Sequence, residues 1–337
     1  MKAAILGKLM NIKIKDIPRP ICDENQVLVQ ISHMGICGTD TKIFSGEIPA
    51  NMPLVQGHEA IGKIVEGIGV DGSVPGDLVI IDPVLYCGEC FYCSKNDTHL
   101  CENGSLLGRD VDGVFSEFVL LPASNVFSLG LNINPTMAPL IQVLTTVLHA
   151  QVRADIQTDE VMVVLGLGVT GLLQIQVAKA LGVKTVVGVS RNSYKRALAK
   201  TMGADEISEH GEAAKSKILQ LTDGRGADVV IEAVGYISVL AEAIDVLRIG
   251  GRIIPFGIYA EFKGELPFYE FYFKELSIIN ARAALPEDFP KSVGLVESGQ
   301  VNLEPFITHI NPFENISEAI QLLMEHNDER LKVILEF

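Results

Sequence analysis

No run of twenty apolar residues occurs anywhere in this 337-residue chain, so no ordinary membrane-spanning helix is expected. The start of the chain also lacks the apolar core of a secretory signal, because Ala3–Leu6 is far too short. A cytoplasmic protein is the expectation. Positive charge is scarce: 27 Lys and Arg stand against 42 Asp and Glu, for a formal net charge of −15. That balance argues against nucleic acid as a partner and offers no basic stripe to an anionic membrane. The sequence shows no internal repeat, low-complexity tract or long linker. Cysteine is sparse but clustered, at Cys22, Cys37, Cys87, Cys90, Cys93 and Cys101. In a chain without a secretory signal such clustering points to metal more than to disulfides. What is plentiful is apolar residue content, 48%, in a chain long enough for two domains with sizeable cores.

The chain is organised around residues 161–171, Val-Met-Val-Val-Leu-Gly-Leu-Gly-Val-Thr-Gly. Five consecutive apolar residues mark a strand buried on both faces of a parallel sheet. The chain then turns at Gly166 and enters a helix at Gly168, whose apolar face is Leu172, Leu173, Ile175, Val177, Ala178 and Leu181, with Gly182 suited to its C-terminal end. Gly166 makes the tight turn, Gly168 lets a pyrophosphate approach the backbone, and Gly171 lets helix and strand pack closely. Leu167, Val169 and Thr170 lie in the same loop, whose helix N-terminus offers free N–H groups to an anion. The strand before it and the amphipathic helix after it give the G-x-G-x-x-G pattern the context it needs.

The N-terminal third alternates apolar and polar residues, as in Gln26–Ser32, and reads as an antiparallel, β-rich domain. Cys37, His58 and Glu59 offer thiolate, imidazole and carboxylate, a set that suits a catalytic zinc with one open position. A buried cysteine beside an unrelated histidine fits these residues equally well, since ligands far apart in sequence carry no spacing signal. Cys87, Cys90, Cys93 and Cys101 form a C-x2-C-x2-C-x7-C array able to close around one tetrahedral zinc, which leaves no room for substrate. Iron–sulfur ligation is a rival reading and disulfides a weaker one.

Taken in order, Gly57-His58-Glu59, Gly76-Asp77-Leu78-Val79, the four-cysteine lobe, residues 112–117 (Asp-Gly-Val-Phe-Ser-Glu) and the glycine loop resemble the zinc-containing medium-chain dehydrogenase/reductase superfamily. The branch is that of sorbitol, threonine and related polyol or sugar-acid dehydrogenases, and the similarity runs essentially the full length. The resemblance implies an α/β fold with a GroES-like β-rich catalytic domain, residues 1–139 and 284–337, and a doubly wound Rossmann parallel-sheet domain, residues 140–283. It implies a catalytic zinc at Cys37, His58 and Glu59, a structural zinc at the four-cysteine lobe, and Thr39 as the hydroxyl that passes on the substrate proton. Arg282 matches an arginine near the active site of this branch, where it serves a substrate hydroxyl or carboxylate, or else only joins the domains. Homodimers or homotetramers are common in the family.

Two positions depart from the branch. Gln142 stands where a glutamate is usual, and a neutral amide is a poorer zinc ligand than a carboxylate. Lys42 stands where a relay histidine is usual, and a lysine passes protons only with a lowered pKa. His33, near Cys37 in sequence, is a candidate substitute, though a strand-end histidine without a catalytic task is the plainer reading.

The cofactor signal lies at the end of the second parallel strand, Thr185–Val189. NAD enzymes usually place a carboxylate there for the ribose 2′-hydroxyl. Here Ser190 and Arg191 follow, a pair suited to a 2′-phosphate through charge-assisted hydrogen bonds, so NADP is expected ahead of NAD. Lys195 and Arg196 read as solvated helix-surface charges rather than phosphate contacts. Further on, a helix is expected over Asn192–Met202, a strand over Asp228–Glu232, a helix over Ser238–Leu247, and strands over Arg252–Phe256 and Leu276–Asn280. Ala233, Val234 and Gly257 follow two of these strands and should pass near the cofactor. An amphipathic helix over Ile316–Met324 and a closing strand over Lys332–Phe337 complete the chain.

The expected reaction is reversible oxidation of a secondary alcohol of a polyol, sugar acid or related metabolite, with zinc as Lewis acid, nicotinamide as hydride acceptor, and a cleft between the domains that excludes water on closing. Two rivals stand beside it: a zinc-independent quinone or enone reductase, which has no need of Cys37, His58 and Glu59, and a non-catalytic NADP-binding sensor, to which Gln142 and Lys42 would be signs of lost catalysis.

Overall fold

The computed structural model describes residues 1–130, 132–259, 261, 263–325, 327 and 329–337. The chain divides into two compact units, Met1–Thr145 with Ala283–Phe337, and Thr146–Arg282. The first junction falls inside one helix, Leu140–Arg153, so it leaves no break in the sequence pattern.

The first unit is built on a sheet whose strand order is Val126–Ser128, Leu78–Ile81, Glu59–Glu66, Gln26–Ile36, Lys332–Glu336 and Ile307–Pro312, with Phe118–Pro122 also paired to Gln26–Ile36. Its pairs are antiparallel except the last two strands, which run parallel. The strand expected over Gln26–Ser32 continues to Ile36 because it pairs with Glu59–Glu66 and the C-terminal strand as far as Gly35 and Ile36. Phe44, Phe115 and Phe313 are among the fully buried side chains of this core. The closing helix Ile316–Met324 packs Ile316, Ala319 and Ile320 into it, at the spacing of one helix face.

One buried acid in this unit carries a testable cost. Asp82 is buried beyond the strand Leu78–Ile81, and its Oδ1 accepts from the Val84 amide, 3.0 Å away. Burial pushes its pKa up to about 7. The folded state therefore holds a proton that the unfolded chain releases near pH 4, and stability falls as pH rises from there through about 7. Asp82→Asn is expected to raise the melting temperature by a margin that grows from pH 4 to pH 7 and levels off above it. A pH series of thermal melts in which both proteins run parallel would contradict this.

The second unit is a parallel six-stranded sheet in the order Glu206–Ser208, Thr185–Val189, Val161–Leu165, Ala227–Glu232, Leu247–Pro255, Ser277–Ile278. The order reverses beside Val161–Leu165, so the carboxyl end of that strand is the place where ligands bind in such sheets. All five of its residues are buried. The helix that follows runs Val169–Ala180; Leu181 caps it and is exposed rather than part of its apolar face, and Gly182 takes a positive φ of 86° to end it. The strand expected over Arg252–Phe256 instead begins at Leu247, because Leu247 already pairs with Ala227 across an irregular register. The last strand is only Ser277–Ile278, an edge with one partner.

Candidate active site and cofactor loop

Cys37 ends the long strand Gln26–Ile36 and caps the helix Gly38–Ser45: its Sγ accepts from the Thr39 amide at 3.5 Å, and Asp40 Oδ2 accepts from the Cys37 amide at 2.8 Å. His58 and Glu59 lie at the start of the neighbouring strand, where Gly35 pairs with Glu59. The sheet thereby brings one ligand atom each of Cys37, His58 and Glu59 within 4.8 Å of one another. Glu59 is fully buried and its Oε1 has no hydrogen-bond partner among the described residues. An unpartnered buried carboxylate oxygen facing a thiol and an imidazole is what a bound divalent cation would satisfy, so the three residues fit a zinc ion with an open fourth position.

Two supporting residues escape sequence reading. Asp40, fully buried, places Oδ1 3.3 Å from His58 Nδ1. Burial disfavours the imidazolium, but the Asp40 carboxylate and Cys37 outweigh it and hold the His58 pKa well above its usual value. This carboxylate fixes the ring so that its other nitrogen is free for metal. The only local signal for it was a capping-box spacing, Cys37 to Asp40, with cysteine in the place of serine. Lys332, at the start of the C-terminal strand and equally buried, forms an ion pair with Glu59 Oε2. It lies far from Glu59 in sequence and arrives only through the Lys332–Glu336, Gln26–Ile36, Glu59–Glu66 ladder. Gly35 makes the space: a Cβ there would sit 2.4 Å from Glu59 Oε2 and 2.8 Å from Lys332 Cε.

Thr39 and Lys42 share the helix Gly38–Ser45, three positions apart and so on one face. Gln142 is buried in the first turn of Leu140–Arg153, with no side-chain hydrogen bond among the described residues. Arg282 is exposed at the end of the second unit. His33 contacts Ser32 Oγ at 3.1 Å and Glu336 at 4.0 Å, and burial lowers its pKa. It lies within the strand Gln26–Ile36 rather than at its end.

Cys87, Cys90, Cys93 and Cys101 also gather within 4.8 Å, with Cys87 and Cys101 sulfurs 3.5 Å apart and Cys90 and Cys101 3.8 Å apart. The Glu89 and Cys90 amides lower the Cys87 thiol to about 6, whereas burial and the neighbouring thiols push Cys93 up to about 12. Four sulfurs with no disulfide among them fit one tetrahedral cation.

In the second unit the cofactor candidates converge. Gly166, at φ 95°, abuts the loop after Ala227–Glu232: a Cβ there would lie 2.5 Å from Val234 Cγ2 and 3.2 Å from the Ala233 carbonyl carbon. A Cβ on Gly171 would fall 1.9 Å from the Gly166 oxygen, whereas the Gly168 Cβ position is open, as a pyrophosphate cradle requires. Leu167 is buried, and Val169 and Thr170 open the helix. Gly257 donates to the Glu232 carbonyl at 3.0 Å, and the Glu232 carboxylate accepts from the Val234 and Gly235 amides and from the Tyr259 hydroxyl. Ser190 and Arg191 follow Thr185–Val189, and Asn192 caps the helix Ser193–Thr201. Arg196 is a correction. Instead of being a solvated surface charge it is largely buried, 15% exposed, and donates to the Ser190 and Arg191 carbonyls at 2.7 and 2.8 Å and to Glu209 at 2.9 Å.

Comparison with known proteins matches both units. The model of the alcohol dehydrogenase GroES-like domain matches residues 23–130, and that of zinc-binding dehydrogenases matches residues 169–298. A sorbitol dehydrogenase of Halalkalibacterium halodurans is 31% identical over 329 residues, 96% of this chain and 94% of its own length. A Sinorhizobium meliloti protein solved with NADP has a TM-score of 0.92 at 27% identity, over 100% of this chain and 99% of its own. An Escherichia coli alcohol dehydrogenase solved with NADH has a TM-score of 0.92 at 29% identity, with the same coverage.

Proposed function

The chain belongs to the zinc-type medium-chain alcohol dehydrogenase family, in its polyol-dehydrogenase-like branch, and from that premise we propose that it oxidises a secondary alcohol of a polyol or sugar acid with NADP. The protein is a zinc-dependent alcohol oxidoreductase using a nicotinamide cofactor; the substrate class, the cofactor choice and the residue roles are the proposal. The observation that carries it is the convergence of Cys37, His58 and Glu59 around an unpartnered buried oxygen.

Bound zinc and NADP would supply a Lewis acid and a hydride acceptor respectively. The chain's own residues do the rest. Cys37, His58 and Glu59 hold the metal, with Asp40 orienting His58. Lys332 draws on part of the Glu59 charge, so Glu59 binds as a weaker ligand than a free carboxylate. The Thr39 hydroxyl accepts the substrate proton at Oγ1 as it releases its own proton toward water, so it relays the proton and stays neutral. Residues 166–171 seat the pyrophosphate on the N-terminus of Val169–Ala180, beside Ala233, Val234 and Gly257. Ser190 and Arg191 hold the 2′-phosphate; Arg191 is exposed, and Arg196 engages its carbonyl oxygen rather than its guanidinium. The resemblance to the branch assigns Arg282 to a substrate hydroxyl or carboxylate.

The test is cofactor reduction over polyols, sugar acids and simple secondary alcohols, with NADP and NAD run side by side. Turnover favouring NADP is expected. Ser190→Asp should shift the preference toward NAD by about a hundredfold, through repulsion of the 2′-phosphate. A parent enzyme that prefers NAD, or a variant that keeps the parent's ratio, would sink the cofactor assignment.

A homo-oligomer is the partner we infer. The edge strand Ser277–Ile278 is preceded by the helix Phe268–Phe273, on which Phe268, Tyr269, Tyr272 and Phe273 are all more than 60% exposed. An open sheet edge beside four exposed rings suits two-fold pairing with a second copy. Tyr272→Glu should lower the sedimenting mass to that of a single chain at micromolar concentration. A parent protein that is already monomeric would refute the interface.

A further inference from the structure

We propose that Arg196 is a positioning residue for cofactor choice: it holds the Ser190–Arg191 backbone so that this segment can accept a 2′-phosphate. The inference rests on the NADP reading above and adds a residue to it. Arg196 does not have to touch the phosphate. One of its terminal nitrogens donates to both the Ser190 and Arg191 carbonyls, and the other reaches Glu209 on the loop after Glu206–Ser208.

A phosphate arriving at residues 190–191 is repelled by any carbonyl oxygen turned toward it. Arg196 engages both carbonyl oxygens and offsets their partial charge, which leaves the Ser190 hydroxyl hydrogen and the Arg191 guanidinium as the groups that an anion meets. The segment is braced at other points too. The Ser190 amide donates to the Ser208 carbonyl at 3.1 Å, the Asn192 amide to Ser190 Oγ at 3.2 Å, and the Lys195 amide to the Asn192 side chain at 3.0 Å. Among these braces Arg196 is the charged one, and it engages three acceptors at once. That geometry suits the planar fork of a guanidinium and not a lysine. Glu209 is two-thirds exposed, so its ion pair orients Arg196 more than it stabilises the fold.

The test uses the zinc-loaded full chain and two probes, adenosine 2′,5′-bisphosphate and adenosine 5′-monophosphate, which differ only in the 2′-phosphate. Binding of each is measured by calorimetry to the parent, R196L and R196K, with melting temperatures alongside. The parent should favour the bisphosphate. In R196L that preference should fall about tenfold, the size of one hydrogen bond to a charged group, while monophosphate binding stays unchanged. R196K should recover part of it. A preference kept intact in R196L overturns the role of Arg196. Equal loss of both probes in R196L and R196K also overturns it, because that is the mark of a merely structural residue. If the parent itself shows no preference, the NADP reading fails and this inference fails with it.

Discussion

A Cys37→Ser protein is expected to fold, to carry about half the parent's zinc and to oxidise its alcohol at least about a thousandfold more slowly. Folding should survive because Cys37 is the N-cap of Gly38–Ser45, and serine serves that position well. The Asp40 side of the capping box is untouched, since it accepts from the backbone amide of residue 37. What serine does not supply is the thiolate. With Glu59 already paired to Lys332, His58 would be left as the one strong ligand. Metal analysis, a thermal melt and kinetics on the same preparation decide the matter. Full zinc content with full turnover would remove Cys37 from the account.

Cys93→Ser should lose the same share of zinc with the opposite pattern: a collapse in stability rather than a selective loss of chemistry. The lobe around the four cysteines has little regular structure, only the two-residue strands Val84–Leu85 and Ser105–Leu106 and two short turns. It cannot hold its shape by backbone pairing alone. Zinc binding to comparable four-ligand sites is worth about 10–16 kcal/mol, as much as the whole stability of an ordinary domain. Burial and the neighbouring thiols disfavour the Cys93 thiolate, and a cation held by the four sulfurs would offset that cost. Limited proteolysis should cut the variant, or a chelator-treated parent, between residues 86 and 104 while the parent resists. Equal resistance in all three would mean that no metal pins this lobe.

The contrast between the two cysteine sites shows what was legible in the sequence. The four-cysteine lobe and residues 161–171 are local, so their chemistry could be read from spacing, and the helix Ile316–Met324 could be read from its period. Cys37, His58 and Glu59 left two readings open, because only strand pairing brings them together. Lys332 and Gly35 were invisible for the same reason: their relation to Glu59 is a ladder register, not a motif. Arg196 was misread because a cation on a helix following a strand looks solvated unless the turn before it offers carbonyls. The strand Leu247–Pro255 begins before the expected Arg252 because Leu247 pairs with Ala227 ahead of a register irregularity that no local pattern marks.

The most direct test of the central claim follows a deuterium label from the carbinol carbon of a secondary polyol to the nicotinamide ring. It is run with zinc-loaded protein, with metal-stripped protein, and after zinc is restored. Label is expected in the reduced cofactor with the loaded protein, none once the metal is removed, and recovery when zinc returns. Transfer that continues unchanged in protein stripped at Cys37, His58 and Glu59 would contradict it. So would the absence of transfer, across the whole alcohol panel and with either cofactor, in protein shown to carry its full zinc.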